Sequence, residues 1–166
     1  MQKQRKIISN KIDTMKKITM ALLFAGVLFS AKSFSQSTID QANFHGAAAD
    51  LKDYKAIYII NNADDKKIRG TLRNINNAME DPRLKGKLQI ELIAFGDGVE
   101  VYRKSAHYDT LLTNLQKKGV VLAQCENTVR ERKIDKADLW SFISYVPTGN
   151  GEIIIRQYQG WAAVHP

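Results

Sequence analysis

The chain of 166 residues carries 25 Lys and Arg against 17 Asp and Glu, but seven of the basic residues and one of the acids fall in its first 35 positions. The other 131 residues hold 18 basic and 16 acidic side chains, so a basic surface for nucleic acid is not part of the reading. That length suffices for one domain with a sizeable core. The single cysteine, Cys125, excludes an intrachain disulfide.

In chain order, Lys16 and Lys17 precede an apolar run of 12 residues from Ile18 to Phe29, and small residues follow at Ser33 and Ser35. This is the three-part plan of a secretory signal peptide. A membrane-spanning helix needs about 20 apolar residues, so the expectation is cleavage rather than a retained anchor. No cysteine follows the run to accept a lipid. Residues 1–35 are therefore expected to be a signal peptide, with Met15 giving the more ordinary start, and the mature protein to be exported, with the periplasm as its expected destination. Residues 36–52 are polar and small without periodicity and read as a flexible arm, leaving residues 53–166 as the folded domain.

The run KAIYIIN, Lys55 to Asn61, is β-branched and aromatic and predicts a buried strand. Ile68, Leu72, Ile75 and Met79 then recur four, three and four apart, one face of a helix over 65–80 that Pro82 ends. KLQIELIAF, Lys87 to Phe95, predicts a second strand covered on both sides. Ser105 is the expected cap of a second helix with the stripe Tyr108, Leu111, Leu112 and Leu115, and Gly119 its stop. VVLAQ is a third strand. DKADLW suggests a helical turn and FISYVP a strand stopped by Pro147. GEIIIRQYQGW fits both a strand, through its three Ile residues, and a helix, through Ile154, Tyr158 and Trp161.

Alternating strands and helices with short connections predict a parallel sheet between helical layers, whose ligands gather at the carboxyl ends of the strands. Those ends are Asn61 and Asn62, the turn Gly96–Asp97–Gly98, and Cys125. The Gly96 and Gly98 pair lacks the third glycine of a phosphate-cradling motif and reads as a tight turn. His45, His107 and His165 have no ligand spacing, so no metal site is expected. Ser105, His107 and Asp109 lie two apart, which points their side chains away from one another on a helix. Cys125 admits two readings: an inert buried thiol, or a nucleophile drawn toward thiolate by a following helical turn and by Arg130.

The segments LRNINNAMED, ELIAFGDGVEVY, LQKKGVVLAQCENTVRERKI and YVPTGNGEIIIRQYQGWAAVHP together resemble the DsrE/DsrF-like family of sulfur-relay proteins, over about Tyr54 to Pro166. The Cys-x-x-Thr element of Cys125 and Thr128, the AFGDG turn and the terminal VPTG…Q…G pattern carry that likeness in combination. The resemblance implies a flavodoxin-like three-layer α/β sandwich with a mostly parallel five-stranded sheet and helices on both faces. It also implies that GNGEIIIRQYQG is a helix, that WAAVH is an edge strand, and that the protein forms a homotrimer or homohexamer. In the sulfur-relay branch the cysteine at the position of Cys125 carries sulfane sulfur as a persulfide. The expected site is then a partly exposed Cys125, with Asn62, Gly96, Asp97, Gly98, Thr128 and Arg130 around a small sulfur-containing donor or acceptor and no cofactor. A non-catalytic oligomeric module binding a small ligand or a protein is the second expectation.

Overall fold

Residues 41–166 are described by a computed structural model. The expected signal peptide, residues 1–35, and the start of the expected arm lie outside the described residues. Among the described residues before Ala47 there is a 3-10 turn, Gln41–Asn43, and Ala47–Pro166 forms a compact unit of its own.

Strand β1, Tyr54–Ile60, buries Ala56, Ile57, Tyr58 and Ile60, so side chains on both of its faces are covered. The chain then turns into α1, Asp65–Glu80, where Asp64 accepts a hydrogen bond from the Lys67 amide at 2.8 Å and satisfies one of the orphan donors of the first turn. Ile68, Leu72 and Ile75 form its buried stripe, and the helix stops at Asp81, directly before Pro82. Strand β2 is Leu88–Ala94. A 3-10 run, Gly96–Tyr102, follows it, then a short 3-10 turn at Lys104–Ala106.

The second helix differs from its expected start. Helix α2 spans Asp109–Lys117, and Tyr108 rather than Ser105 stands at its N-cap. His107 takes a left-handed backbone (φ 58°), which breaks any helix running from Ser105. Tyr108 itself is buried and donates from its hydroxyl to Asp65 Oδ1 at 2.7 Å, tying the two helix starts together. Gly119 (φ 87°) provides the left-handed turn into β3, Val121–Cys125. Cys125 passes directly into α3, Glu126–Glu131; after a 3-10 turn at Lys136–Asp138 come β4, Ser144–Val146, α4, Gly149–Tyr158, and β5, Ala162–Val164. The ambiguous GEIIIRQY stretch is thus helical, capped by the Thr148 hydroxyl, which accepts from the Gly151 amide at 3.1 Å.

The sheet has the order β4-β3-β2-β1-β5, and all four pairings are parallel, where a mostly parallel sheet was expected. The chain builds β1 to β4 in one direction and returns through α4 to place β5 beside β1. One face of the sheet, through Ala56, Tyr58, Ile60, Ile90, Leu92, Ala94 and Leu122, packs with α1, α2 and the 3-10 run into the main core. The other face carries a much smaller cluster of Ile57, Ile93, Ala123 and Trp161, with Ile153 of α4 against it. Cys125 lies on this second face by strand alternation from Ala123.

Candidate functional site

The carboxyl rim is held together by main-chain bonds before any side chain is considered. The Phe95 amide donates to Ile60 O at 3.1 Å, which fastens the end of β2 to the end of β1. The Asn127 amide donates to Pro147 O at 3.2 Å, which fastens the start of α3 to the end of β4. At the far edge His165 Nε2 lies 3.2 Å from Asn61 Oδ1.

Cys125 is the N-cap residue of α3, and its Sγ accepts a hydrogen bond from the Thr128 amide at 3.4 Å. A thiol in this position replaces the usual serine or aspartate oxygen. Thr128 is buried and works twice. Its amide faces the sulfur, while its Oγ1 accepts from the Gly96 amide at 3.0 Å. The Cys-x-x-Thr element therefore joins the end of β3 to the turn after β2. Gln124, fully buried, donates from Nε2 to Cys125 O at 3.1 Å, and its Oε1 has no partner.

The glycine turn owes its shape to close approach. A Cβ on Gly98 would come 2.1 Å from Ile60 O, a contact with main chain that nothing nearby can relieve. Gly96 has φ 56°, in the left-handed region that favours glycine. A third glycine enters from α4: a Cβ on Gly149 would lie 2.7 Å from the Phe95 ring, so the start of α4 rests directly on the residue after β2.

The expected site residues divide. Cys125, Thr128 and Gly96 come together, with Gly98 at the base of the turn. Asn62 stands at the end of β1, where its Oδ1 accepts from the Asp64 amide at 3.2 Å and supports the entry to α1. Asp97 forms an ion pair with Arg132. Two expectations are corrected. Cys125 is not partly exposed: 4% of its surface is accessible, and its sulfur is turned onto the first turn of α3, against the Thr128 amide. Arg130 does not fold back toward the sulfur, since its guanidinium is hydrogen-bonded to Asn127 Oδ1. The other charges nearby are also engaged. Glu126 accepts from Lys136 Nζ at 2.7 Å, which holds that ammonium above the ordinary lysine range, and Glu131 accepts from Asn127 Nδ2 at 2.7 Å. The sulfur is thus served by main-chain dipole rather than by a cation.

Sequence reading missed Phe95, Thr148 and Gly149 as neighbours of the rim. The signal available was small residues following Pro147 directly after a strand. Among the described residues no group of three His, Cys, Asp or Glu could hold a metal ion, and no helix is long and apolar enough to cross a membrane.

Comparison with known proteins gives a consistent result. The model of the DsrE/DsrF-like family matches residues 7–166. Among solved structures, MTH1491 from Methanobacterium thermoautotrophicum, a protein of unknown function, is 32% identical with a TM-score of 0.64, over 69% of this chain and 100% of its own. BT1422 from Bacteroides thetaiotaomicron, also of unknown function, superposes with a TM-score of 0.54 at 11% identity, over 68% of this chain and 94% of its own, and attests the fold alone. No curated protein sequence matches the chain.

Proposed function

Because the chain belongs to the DsrE/DsrF-like family, we propose that it handles sulfane sulfur, with Cys125 as the carrying atom. The observation that supports this most is the Thr128 amide directed at Cys125 Sγ from the first turn of α3, at the carboxyl rim of a parallel sheet. That amide can follow the charge as it moves from the thiolate to a persulfide.

The step conserves oxidation state overall. The Cys125 thiolate attacks the outer sulfur of a polysulfide or thiosulfonate; an Sγ–S bond forms and the donor's S–S bond breaks. The electron pair leaves on the shortened polysulfide or on the sulfinate, and the thiol proton passes to solvent. An acceptor thiolate then attacks the outer sulfur of the persulfide and returns Cys125 as thiolate. No cofactor takes part. The turn Gly96–Asp97–Gly98 and Asn62 form the adjacent rim, and Arg130 reaches an anionic donor only by leaving Asn127.

The 4% exposure of Cys125 favours a second reading, a non-catalytic module that binds a small ligand or a protein at the same rim. Intact-mass measurement after polysulfide treatment separates the two. The first reading expects one added sulfur atom, removed by an acceptor thiol and absent in Cys125→Ser. An unmodified wild-type mass under conditions that modify free cysteine would leave the binding module.

The proposal extends to address and assembly. Export follows from the basic, apolar and small pattern of residues 15–35, and N-terminal sequencing of the protein from its host should begin near Gln36 or Ser37. Self-association into a trimer or hexamer is supported by Ile154, Ile155 and Tyr158, which are 54%, 53% and 91% exposed on α4.

A further inference from the structure

Strand β2 buries a carboxylate in its middle. Glu91 is 1% exposed and pairs in register with Ile57 of β1 and Val121 of β3, so its side chain rises from the sheet toward α4. There its Oε2 accepts from Arg156 Nε at 2.8 Å and forms an ion pair with Nη2 at 2.7 Å. The same guanidinium lies 2.8 Å from Glu152 Oε1 and stacks over the Trp161 ring at 4.4 Å. Glu91 Oε1 is buried and has no hydrogen-bond partner.

Two carboxylates thus share one cation in a seam closed by Ile57, Ile93 and Trp161, leaving one negative charge in excess. The surrounding elements offer little to balance it. From β1, Lys55 shares the strand face of Ile57 but is exposed, and from β3 the neighbour is Val121. Tyr102, across the strand, spends its hydroxyl on Leu92 O at 2.8 Å. A buried carboxylate oxygen without a partner is far costlier than a buried neutral carboxyl. The unpartnered Oε1 is the atom on which a proton would remove the excess charge while Oε2 keeps its hydrogen bond from Arg156 Nε.

We propose that Glu91, Glu152 and Arg156 form a proton-operated clamp that sets how firmly α4 is held on the sheet, closed when Glu91 Oε1 carries a proton and loosened when it does not. The proposal rests on no role for Cys125, although loosening α4 would be felt at the rim through Gly149 on Phe95. Burial, followed by the charge of Glu152, raises the Glu91 carboxyl above the ordinary range against the pull of Arg156, in keeping with the geometry. The sign follows from linkage: a carboxyl raised in the folded state binds its proton more tightly there than when released. Docking is therefore strongest below the unperturbed glutamate range and weakens as pH rises through the titration of folded Glu91.

Carboxyl carbon-13 titration of the labelled protein by NMR tests this, together with amide exchange of residues 149–158 over the same range, corrected for the pH dependence of intrinsic exchange. One glutamate resonance, absent in Glu91→Gln, should titrate above the exposed glutamates. Opening of α4 should grow by about tenfold per pH unit between the released and folded midpoints and be independent of pH in Glu91→Gln. If Glu91→Gln does not fold, Glu152→Gln serves: removing the neighbouring charge should move the Glu91 midpoint down. A Glu91 that titrates with the exposed glutamates, an α4 whose opening ignores pH in the wild type, or a midpoint unmoved by Glu152→Gln would each overturn the clamp.

Discussion

The two faces of the sheet are built on different principles. The face under α1 and α2 is closed by Ile68, Leu72, Ile75, Leu112 and Leu115, all essentially inaccessible; Tyr102 is tied there to Leu92 O, and the unpartnered atoms on that side, Gln124 Oε1 and Trp140 Nε1, belong to uncharged groups. The face under α4 has a four-residue apolar cluster, a shared ion pair with an unpartnered oxygen, and isoleucines turned outward. It is also the face that carries Cys125. Stability is concentrated on one side, and the groups capable of chemistry or switching lie on the side where packing is thinnest, as expected where local stability is low.

That contrast can be broken by substitution. Leu72→Ala or Leu112→Ala, in the closed face, should cost about 2–5 kcal/mol in denaturant unfolding. Gly98→Ala should be at least as harmful, because its Cβ meets the main chain of Ile60. Arg156→Ala should cost roughly 2–3 kcal/mol, below the ~3–5 kcal/mol of a fully buried pair because the arginine is itself 28% exposed. Gly149→Ala presses on the Phe95 ring, which can shift, and should cost about 1–3 kcal/mol. Equal losses from Leu72→Ala and Ile154→Ala would erase the distinction between the faces.

Alkali should sharpen the same comparison. Tyr108, on the closed face, has its hydroxyl pushed up to about 12 by burial and then by donation to Asp65. A raised group contributes stability that is intact below its unfolded value of about 10 and is lost as pH rises toward the folded one. Unfolding midpoints from pH 9 upward should therefore fall more steeply in the wild type than in Tyr108→Phe, a window apart from that of the Glu91 clamp. The smallest effect on stability is expected from Ile155→Lys on α4, within about 0.5 kcal/mol for the monomer. Its reading is light scattering, where loss of assembly with unchanged monomer stability would identify α4 as the associating surface.

What the sequence disclosed follows the same division. α1 and the first three strands were legible because their apolar residues are buried in step with the helical or strand period. α4 was not, because Ile153 faces the sheet while Ile154 and Ile155 face outward, so the run satisfies neither period. Glu91 stood in a run read as covered on both sides, and a charge in such a place was itself the sign of a buried partner, which Arg156 supplies from 65 positions away. Cys125 and Thr128 were legible as a pair, but exposure depends on what α3 and its neighbours enclose, and Arg130 had a nearer acceptor in Asn127. Ser105 failed as a cap because His107 turns the chain beforehand.

The placement of β5 beside β1 also determines when folding can finish. Ala56 pairs with Ala162, so the first strand waits about a hundred residues for its outer neighbour, a contact of long sequence separation. Until residues 161–164 leave the ribosome, β1 is a bare edge and Trp161 is missing from the cluster on the α4 side. A nascent chain halted before Trp161 can assemble β1 to β4 yet keeps one edge open to pairing with any extended segment nearby. Protease resistance of such truncated chains should rise sharply only when residues 161–164 are included.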